Sequence, residues 1–192
     1  MDPIQQAAEI LGAHGRAIAL TGAGISVDSG IPDFRSAAGL WARYDPMEYA
    51  TISAFRNNPE KVWAMLRDME SLVTGAEPNA GHRALAELEK RGILKGVVTQ
   101  NIDGLHQRAG NTHVVEFHGG ADRLVCRCGY RVAATEAPDE PVPICPECGE
   151  VLKPDIVFFG EAIPPEALQE SFRLAANCDA VLVVGTSATV SP

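Results

Sequence analysis

Residues 93–106 read Ile93-Leu94-Lys95-Gly96-Val97-Val98-Thr99-Gln100-Asn101-Ile102-Asp103-Gly104-Leu105-His106. The opening residues form a short apolar run that the pattern predicts to be a buried strand. At its carboxyl end the sequence turns abruptly to amides, a carboxylate and a histidine. Open α/β sheets place ligands at such strand ends. Asn101 and Asp103 have short side chains with few rotamers, so they can hold hydrogen bonds to a polar ligand at low entropic cost. The same residues would also suit a plain polar turn in which Asn101 or Asp103 caps the next helix.

A second segment has the same design. Ala17-Ile18-Ala19-Leu20 is a short apolar strand running into Thr21-Gly22-Ala23-Gly24-Ile25-Ser26. Two glycines one residue apart permit a tight turn and let backbone N–H groups approach phosphate oxygens. The dinucleotide fingerprint would have a third glycine where this chain has Val27, and no acidic residue ends a second strand downstream. A Gly- and Pro-punctuated loop, Asp28-Ser29-Gly30-Ile31-Pro32-Asp33-Phe34-Arg35, follows instead. A bound dinucleotide would therefore not lie as it does in ordinary dehydrogenases.

Outward from these segments, helix periodicity covers 4–13, the stretch after Pro59 with Asn58 as cap, the stretch after Asn79, and 165–175. Strands are expected at 17–21, 93–98, 114–117, 156–159 and 180–184. Residues 33–78 lack strand patterning, and 120–153 carry four cysteines and several prolines. Alternating βα units with two insertions predict an α/β fold. Its core is a Rossmann-like parallel sheet with helices on both faces, bearing a helical lobe and a small cysteine-rich lobe that four convergent thiolates would make zinc-binding.

The chain has 192 residues, 46% hydrophobic, with a net charge of −9 and mean hydropathy of −0.01. That is the composition of a globular protein. No apolar run approaches the roughly 20 residues a bilayer span needs, and no membrane partner is expected. The acidic charge argues against a nucleic-acid surface and is compatible with a cationic, lysine-bearing peptide. The N-terminus lacks the basic and apolar regions of a signal peptide, so the expected location is cytoplasmic.

Cys126-Arg127-Cys128 and Cys145-Pro146-Glu147-Cys148 are two pairs separated by sixteen residues. Four soft thiolates satisfy tetrahedral zinc, and a site with all four positions filled is structural. A disulfide, disfavoured in a reducing compartment, and a decayed site are the alternatives. Of the five histidines, His118 is the best catalytic candidate. It ends a strand, precedes Gly119-Gly120, and can face the cleft of Asn101 and Asp103 as a general base.

Taken together, Gly22-Ala23-Gly24-Ile25-Ser26, Gly30-Ile31-Pro32-Asp33-Phe34-Arg35, Thr99-Gln100-Asn101-Ile102-Asp103 and Phe117-His118-Gly119 strongly resemble the sirtuin family of NAD-dependent protein lysine deacylases. The resemblance runs in order to Val157-Phe158-Phe159-Gly160-Glu161 and Gly185-Thr186-Ser187. It implies a two-stage reaction on an acyl-lysine peptide or protein. The acyl oxygen attacks the nicotinamide ribose of NAD and nicotinamide leaves; the histidine then helps deprotonate a ribose hydroxyl, and the acyl group ends on ADP-ribose. By motif match, His118 and Asn101 are catalytic. Gly22, Ala23, Gly24 and Ser26 line the phosphates, Asp33, Phe34 and Arg35 close over the cofactor, and Gln100, Asn101, Ile102 and Asp103 approach ribose and nicotinamide. Gly185, Thr186 and Ser187 complete the NAD contacts. Val157, Phe158, Phe159, Gly160 and Glu161 pair with substrate by strand addition, with Phe159 walling the lysine tunnel or serving as sheet core.

The resemblance divides the chain into a Rossmann-like domain (1–32, 83–119, 157–192), a helical lobe with the cofactor loop (33–82) and a zinc lobe (120–156). Three departures accompany it. The first cysteine pair has one intervening residue where the family normally has two. Leu66 and Met69 stand where members that prefer acidic acyl groups carry Tyr and Arg, so an acetyl or larger apolar acyl group is expected. The family continues through at least one further βα unit after Ser187, so a fragment is expected. A binding module for NAD or ADP-ribose without turnover, and an ADP-ribosyltransferase, are the alternatives. His118, Asn101 and Asp103 favour the enzyme, since a binder has no need of a base.

Overall fold

The apolar runs at 17–21 and 93–98 become the two central strands of a parallel sheet. The computed structural model describes residues 2–37 and 39–188, so the last four residues of the 157–192 segment lie outside it. The first helix, α1 (Pro3–His14), starts on Asp2, whose carboxylate accepts the Ile4 N–H at 3.3 Å, and stops at Gly15 with φ of 62°. After it come β1 (Ala17–Thr21), β2 (Leu94–Thr99), β3 (Val114–Glu116) and, late in the chain, β7 (Ala180–Val184). Their order in the sheet is β3-β2-β1-β7.

The register decides where chemistry can sit. Thr21 pairs with Thr99 and with Val184, and Thr99 pairs with Glu116. All four strands therefore end on one line. The loops starting at 22, 100, 117 and 185 all leave from the same rim.

Helices cover both faces. On one, Ala17, Ala19, Leu94 and Val97 pack with Ile25 and with Leu85 of α5 (Ala80–Lys90). On the other, Ile18, Val98 and Val115 pack against Leu174 of α7 (Pro165–Ala176). Alternate residues of β1 thus go to opposite cores, as pleating requires for a strand buried on both sides.

The second lobe is an antiparallel sheet of order β5-β4-β6, made from β4 (Gly119–Val125), β5 (Arg131–Ala133) and β6 (Lys153–Ile156). The short helices α2 (Pro46–Tyr49) and α3 (Ile52–Asn57) lead into α4 (Pro59–Thr74), where Asn58 accepts the Lys61 N–H at 3.0 Å as its cap. Val62, Trp63, Met65 and Leu66 of α4 share one core with Leu124, Leu152 and Phe158. The Trp63 indole donates to the Leu152 carbonyl at 3.0 Å across that core. Among the described residues no helix is long and apolar enough to cross a membrane.

The strand expected at 156–159 is displaced. β6 ends at Ile156 and pairs with β4, and its Pro154 is tolerated because β6 is an edge strand. Residues 157–159 leave that ladder: Val157 N–H donates to the His118 carbonyl at 2.9 Å, and at the α2–α3 junction Phe159 N–H donates to the Ala50 carbonyl at 2.9 Å and Ile52 N–H to the Phe159 carbonyl at 3.0 Å. The apolar run reflects burial of Phe158, 4% exposed, rather than a continued ladder. The helix that Asn101 or Asp103 could cap is the short α6 (Leu105–Ala109), with Asp103 accepting the Leu105 N–H at 3.0 Å.

Candidate active site

The rim loops enclose a cavity of about 750 Å³. Ala23, Gly24, Asp33, Phe34, Arg35, Gln100, Asn101, Ile102, His118, Gly185, Thr186 and Ser187 all line it. So do Val157, Phe158, Phe159, Gly160 and Glu161. Gly22, Ser26 and Asp103 lie behind this wall.

The two glycines of the first loop serve a second backbone. Gly22 N–H donates to the Val184 carbonyl at 3.2 Å and Gly24 N–H to the Gly185 carbonyl at 2.8 Å. A Cβ on Gly24 would fall 2.8 Å from Gly185 Cα, and one on Gly185 2.2 Å from the Ile25 nitrogen. The spacing lets the β1 and β7 loops touch, and these two N–H groups are committed to that join rather than turned to a phosphate.

Behind the wall a polar network fixes Asn101. Ser26, 1% exposed, donates to Asp103 Oδ2 at 2.7 Å and accepts from Asn101 Nδ2 at 3.1 Å. Asn101 Nδ2 also reaches the Gly22 carbonyl at 3.3 Å, and its backbone N–H donates to Thr99 Oγ1 at 3.1 Å. With its NH₂ engaged, the amide has its oxygen left as an acceptor for the cavity. His82 Nε2 stands 3.5 Å from Ser26 Oγ, and its ring meets that of His106 edge-on at 4.9 Å. His82 and His106 are both buried; the sequence places His82 near a helix start and His106 in local packing or hydrogen bonding, whereas His106 bonds across the sheet to Thr21 of β1.

His118 sits at the β3–β4 corner. Its Nδ1 lies 3.0 Å from the Gln100 carbonyl oxygen, which can only accept, so Nδ1 carries the proton and donates. In the neutral ring Nε2 is then a free base. Burial pushes the His118 pKa below its ordinary value, against the opposing effect of the Gln100 carbonyl. The imidazole is therefore neutral and basic at neutral pH. Gln100 is itself fixed, its Oε1 accepting from Thr186 at 2.6 Å.

The loop at the mouth is folded on itself. Leu40 N–H donates to the Asp33 carbonyl at 2.8 Å and Trp41 N–H to the Phe34 carbonyl at 3.0 Å. Hydrogen bonds from Ser36 hold the Asp33 carboxyl below the usual carboxylate range. Arg35 reaches Ser187 at 3.2 Å across the opening. Trp41 stacks on Phe34 at 5.2 Å and approaches Phe159 at 6.4 Å. Phe159 is 45% exposed, so of the phenylalanine pair Phe158 is core and Phe159 faces the mouth. Glu161 lines the cavity, but its carboxylate is engaged within its own bend. Its Oε2 accepts the Phe158 N–H at 2.9 Å and Lys153 Nζ at 2.9 Å, locking the 156–161 bend from behind.

A nucleotide-sized cavity at four aligned strand ends, with an oriented base and a fixed amide, matches no generic sheet. The profile of the Sir2 family matches residues 22–192. The chain is 50% identical to an NAD-dependent protein deacylase of Thermococcus sibiricus, across 98% of this chain and 77% of that protein. The chain belongs to the Sir2 family. Among solved sirtuin structures it is similar to a mutant Sir2 homologue in complex with ADP-ribose, with 42% identity and a TM-score of 0.93 over 100% of this chain and 77% of that one. A Sir2–p53 peptide–NAD+ structure matches with 36% identity and a TM-score of 0.88, over 98% of this chain and 78% of that one.

This sirtuin also gathers its four paired cysteines. The sulfurs of Cys126, Cys128, Cys145 and Cys148 lie within 4.8 Å of one another, and all are free thiols. Cys126 and Cys148 are 3.4 Å apart, Cys128 and Cys145 3.7 Å. Tetrahedral zinc with sulfur at about 2.3 Å needs S···S edges of roughly 3.8 Å. The donor set fits that ion, and the distances are far too long for a disulfide.

Proposed function

We propose that this sirtuin is an NAD-dependent protein lysine deacylase that passes an acyl group from lysine to ADP-ribose and releases nicotinamide. The observation carrying the reading is His118, whose Nδ1–H is committed to the Gln100 carbonyl while Nε2 stands free beside Asn101 in the cavity. NAD, when bound, supplies the ribose that accepts the acyl group and nicotinamide as leaving group. Ala23, Gly24, Gln100, Asn101, Ile102 and the 185–187 loop hold it, while Gly22, Ser26 and Asp103 shape the wall from behind. Asp33, Phe34 and Arg35 close the mouth, and His118 Nε2 takes the proton of a ribose hydroxyl. Residues 157–161 present the peptide, chiefly through the Val157 carbonyl and Gly160, because the Phe159 backbone and the Val157 N–H are already paired. Cys126, Cys128, Cys145 and Cys148 hold a structural zinc.

Met65, Leu66 and Met69 line the same cavity and belong to or pack against the α4 core. A carboxylate there would be desolvated without a partner. The acyl group is therefore acetyl or a larger apolar one, and the partner is an acyl-lysine peptide or protein. We assign the Rossmann-like domain to 1–32, 83–119 and 157–192, the helical lobe to 33–82, the zinc lobe to 120–156, and the location to the cytoplasm.

The test compares wild type with His118→Ala on acetyl-, butyryl- and succinyl-lysine peptides, following deacylated peptide, with circular dichroism as control. The variant is expected to keep its spectrum and lose about a hundredfold or more in deacylation, the range of a general base. Wild type is expected to process acetyl and butyryl peptides well ahead of succinyl. Near wild-type turnover in the variant removes His118 from the mechanism, and a succinyl preference removes the apolar acyl pocket.

A further inference from the structure

Arg123 lies in neither the cavity nor the thiol cluster, yet it spans the joint on which His118 is carried. The chain leaves the parallel sheet at His118 and enters β4 through Gly119, at φ of 76°. A Cβ there would fall 1.9 Å from the Asp155 carbonyl oxygen, so nothing but backbone fits between β4 and β6. Arg123 reaches back over this corner. Its Nη2 donates to Glu116 at 2.7 Å and its Nε to Asp155 at 2.9 Å. Glu116 ends β3, just before His118. Asp155 belongs to β6, just before the segment whose Val157 N–H donates to the His118 carbonyl at 2.9 Å. The second Glu116 oxygen is held by Gln107 at 2.8 Å, and Arg131 approaches Asp155 at 3.4 Å. A third contact, to Asp122 at 2.9 Å, stays within β4 and does not cross the joint.

We infer that Arg123 is a positioning residue for acyl transfer, clamping Glu116 of the parallel sheet to Asp155 of the antiparallel lobe so that the corner bearing His118 is fixed. The inference rests on the function proposed above. A guanidinium makes these bonds from one rigid plane, which a lysine ammonium cannot copy. The Arg123 side chain is 37% exposed. Its partners are less exposed, Glu116 at 17% and Asp155 at 28%, so losing Arg123 costs some stability at the joint, and circular dichroism on each variant checks that the chain still folds. Small displacements of a reacting group can cost up to about a hundredfold in rate. Asn101 and Gln100 are anchored within the parallel sheet by other bonds, so nicotinamide release does not depend on the clamp.

The experiment measures two rates on Arg123→Met, Arg123→Lys and wild type with saturating NAD and acetyl-lysine peptide. Exchange of labelled nicotinamide into NAD reports its release, and deacylated peptide reports completion. Arg123→Met is expected to lose about tenfold or more in deacylation while exchange stays within about twofold. Arg123→Lys falls between, and Asp122→Asn behaves as wild type. Parallel loss of both rates, or unchanged deacylation, overturns the clamp. Should Arg123→Met fail to fold, Arg123→Lys and Glu116→Gln carry the same comparison under the same criteria. A wild type with neither rate removes the proposed function instead, before any variant is compared.

Discussion

Two histidines close to one rim are tuned in the same direction for different ends. His118 is half-buried and open to the cavity, so its lowered pKa keeps a base available. His106 is 1% exposed, with Nε2 2.9 Å from Thr21 Oγ1, and burial followed by the neighbouring His82 pushes its pKa down to about 4. Burial lowers the pKa of His82 as well. In the unfolded chain such rings titrate near 6.5, so between about pH 6.5 and 4 the unfolded state binds the extra proton. Stability is therefore complete above that window and lost as the pH falls through it. For His106 alone the loss between pH 7 and 4.5 is about 2 to 3 kcal/mol. Urea unfolding at the two pH values should show that much extra loss in wild type relative to His106→Gln. An identical pH dependence in both would mean that His106 is not the buried neutral ring described. Asn101 and His118 were legible in the sequence because polar residues at the ends of apolar strands stand out locally. The Thr21–His106 bond was not, because its partners are 85 residues apart and meet only through sheet pairing.

Among the elements, the cysteine turns show how a missing residue is absorbed. In the second turn Gly149 N–H donates to the Cys145 carbonyl at 2.9 Å, and Cys145 N–H to the Glu150 carbonyl at 2.8 Å. In the first, Gly129 N–H donates to the Cys126 carbonyl at 3.0 Å and Cys126 N–H to the Tyr130 carbonyl at 2.9 Å. Each bond of the shorter turn spans one residue fewer. Both turns end on a glycine with positive φ, 98° at Gly129 and 75° at Gly149, so the sulfurs still converge. The sequence shows only that the first gap is one residue shorter than in the family, because the compensating bond pattern is a property of backbone geometry. Purified protein is expected to hold about one zinc per chain, and a strong chelator should lower its Tm while a mild reductant does not. Full-stability protein without metal would mark the cluster as four close thiols only. The misplaced strand at 156–159 has a related origin, since hydropathy reports that Phe158 is buried but not which partner covers it.

At the scale of the whole molecule, the parallel sheet was legible because each of its strands is an apolar run between helical patterns. The second lobe was not. Residues 33–82 and 120–156 read as separate insertions, yet α4 and the cysteine-bearing sheet bury their apolar faces against each other in one core. Leu152 is 0% exposed within it, in the same core as Cys145 and the α4 residues, and its carbonyl takes the Trp63 indole N–H. A single core implies that helix packing and metal retention are linked. Leu152→Ala should cost about 2–5 kcal/mol, the range for a buried leucine truncated where the surroundings only partly relax. It should also speed zinc transfer to a chromophoric chelator, although Leu152 is no ligand, because opening the α4 face exposes Cys145, itself 1% exposed. Stopped-flow transfer on wild type and variant, at a temperature where both are folded, separates the possibilities. If stability falls and transfer does not change, the thiol cluster opens independently of the α4 core. Faster transfer in step with lost stability means that the helical segment and the cysteine sheet open together, and that the joint at Arg123 connects two bodies rather than three.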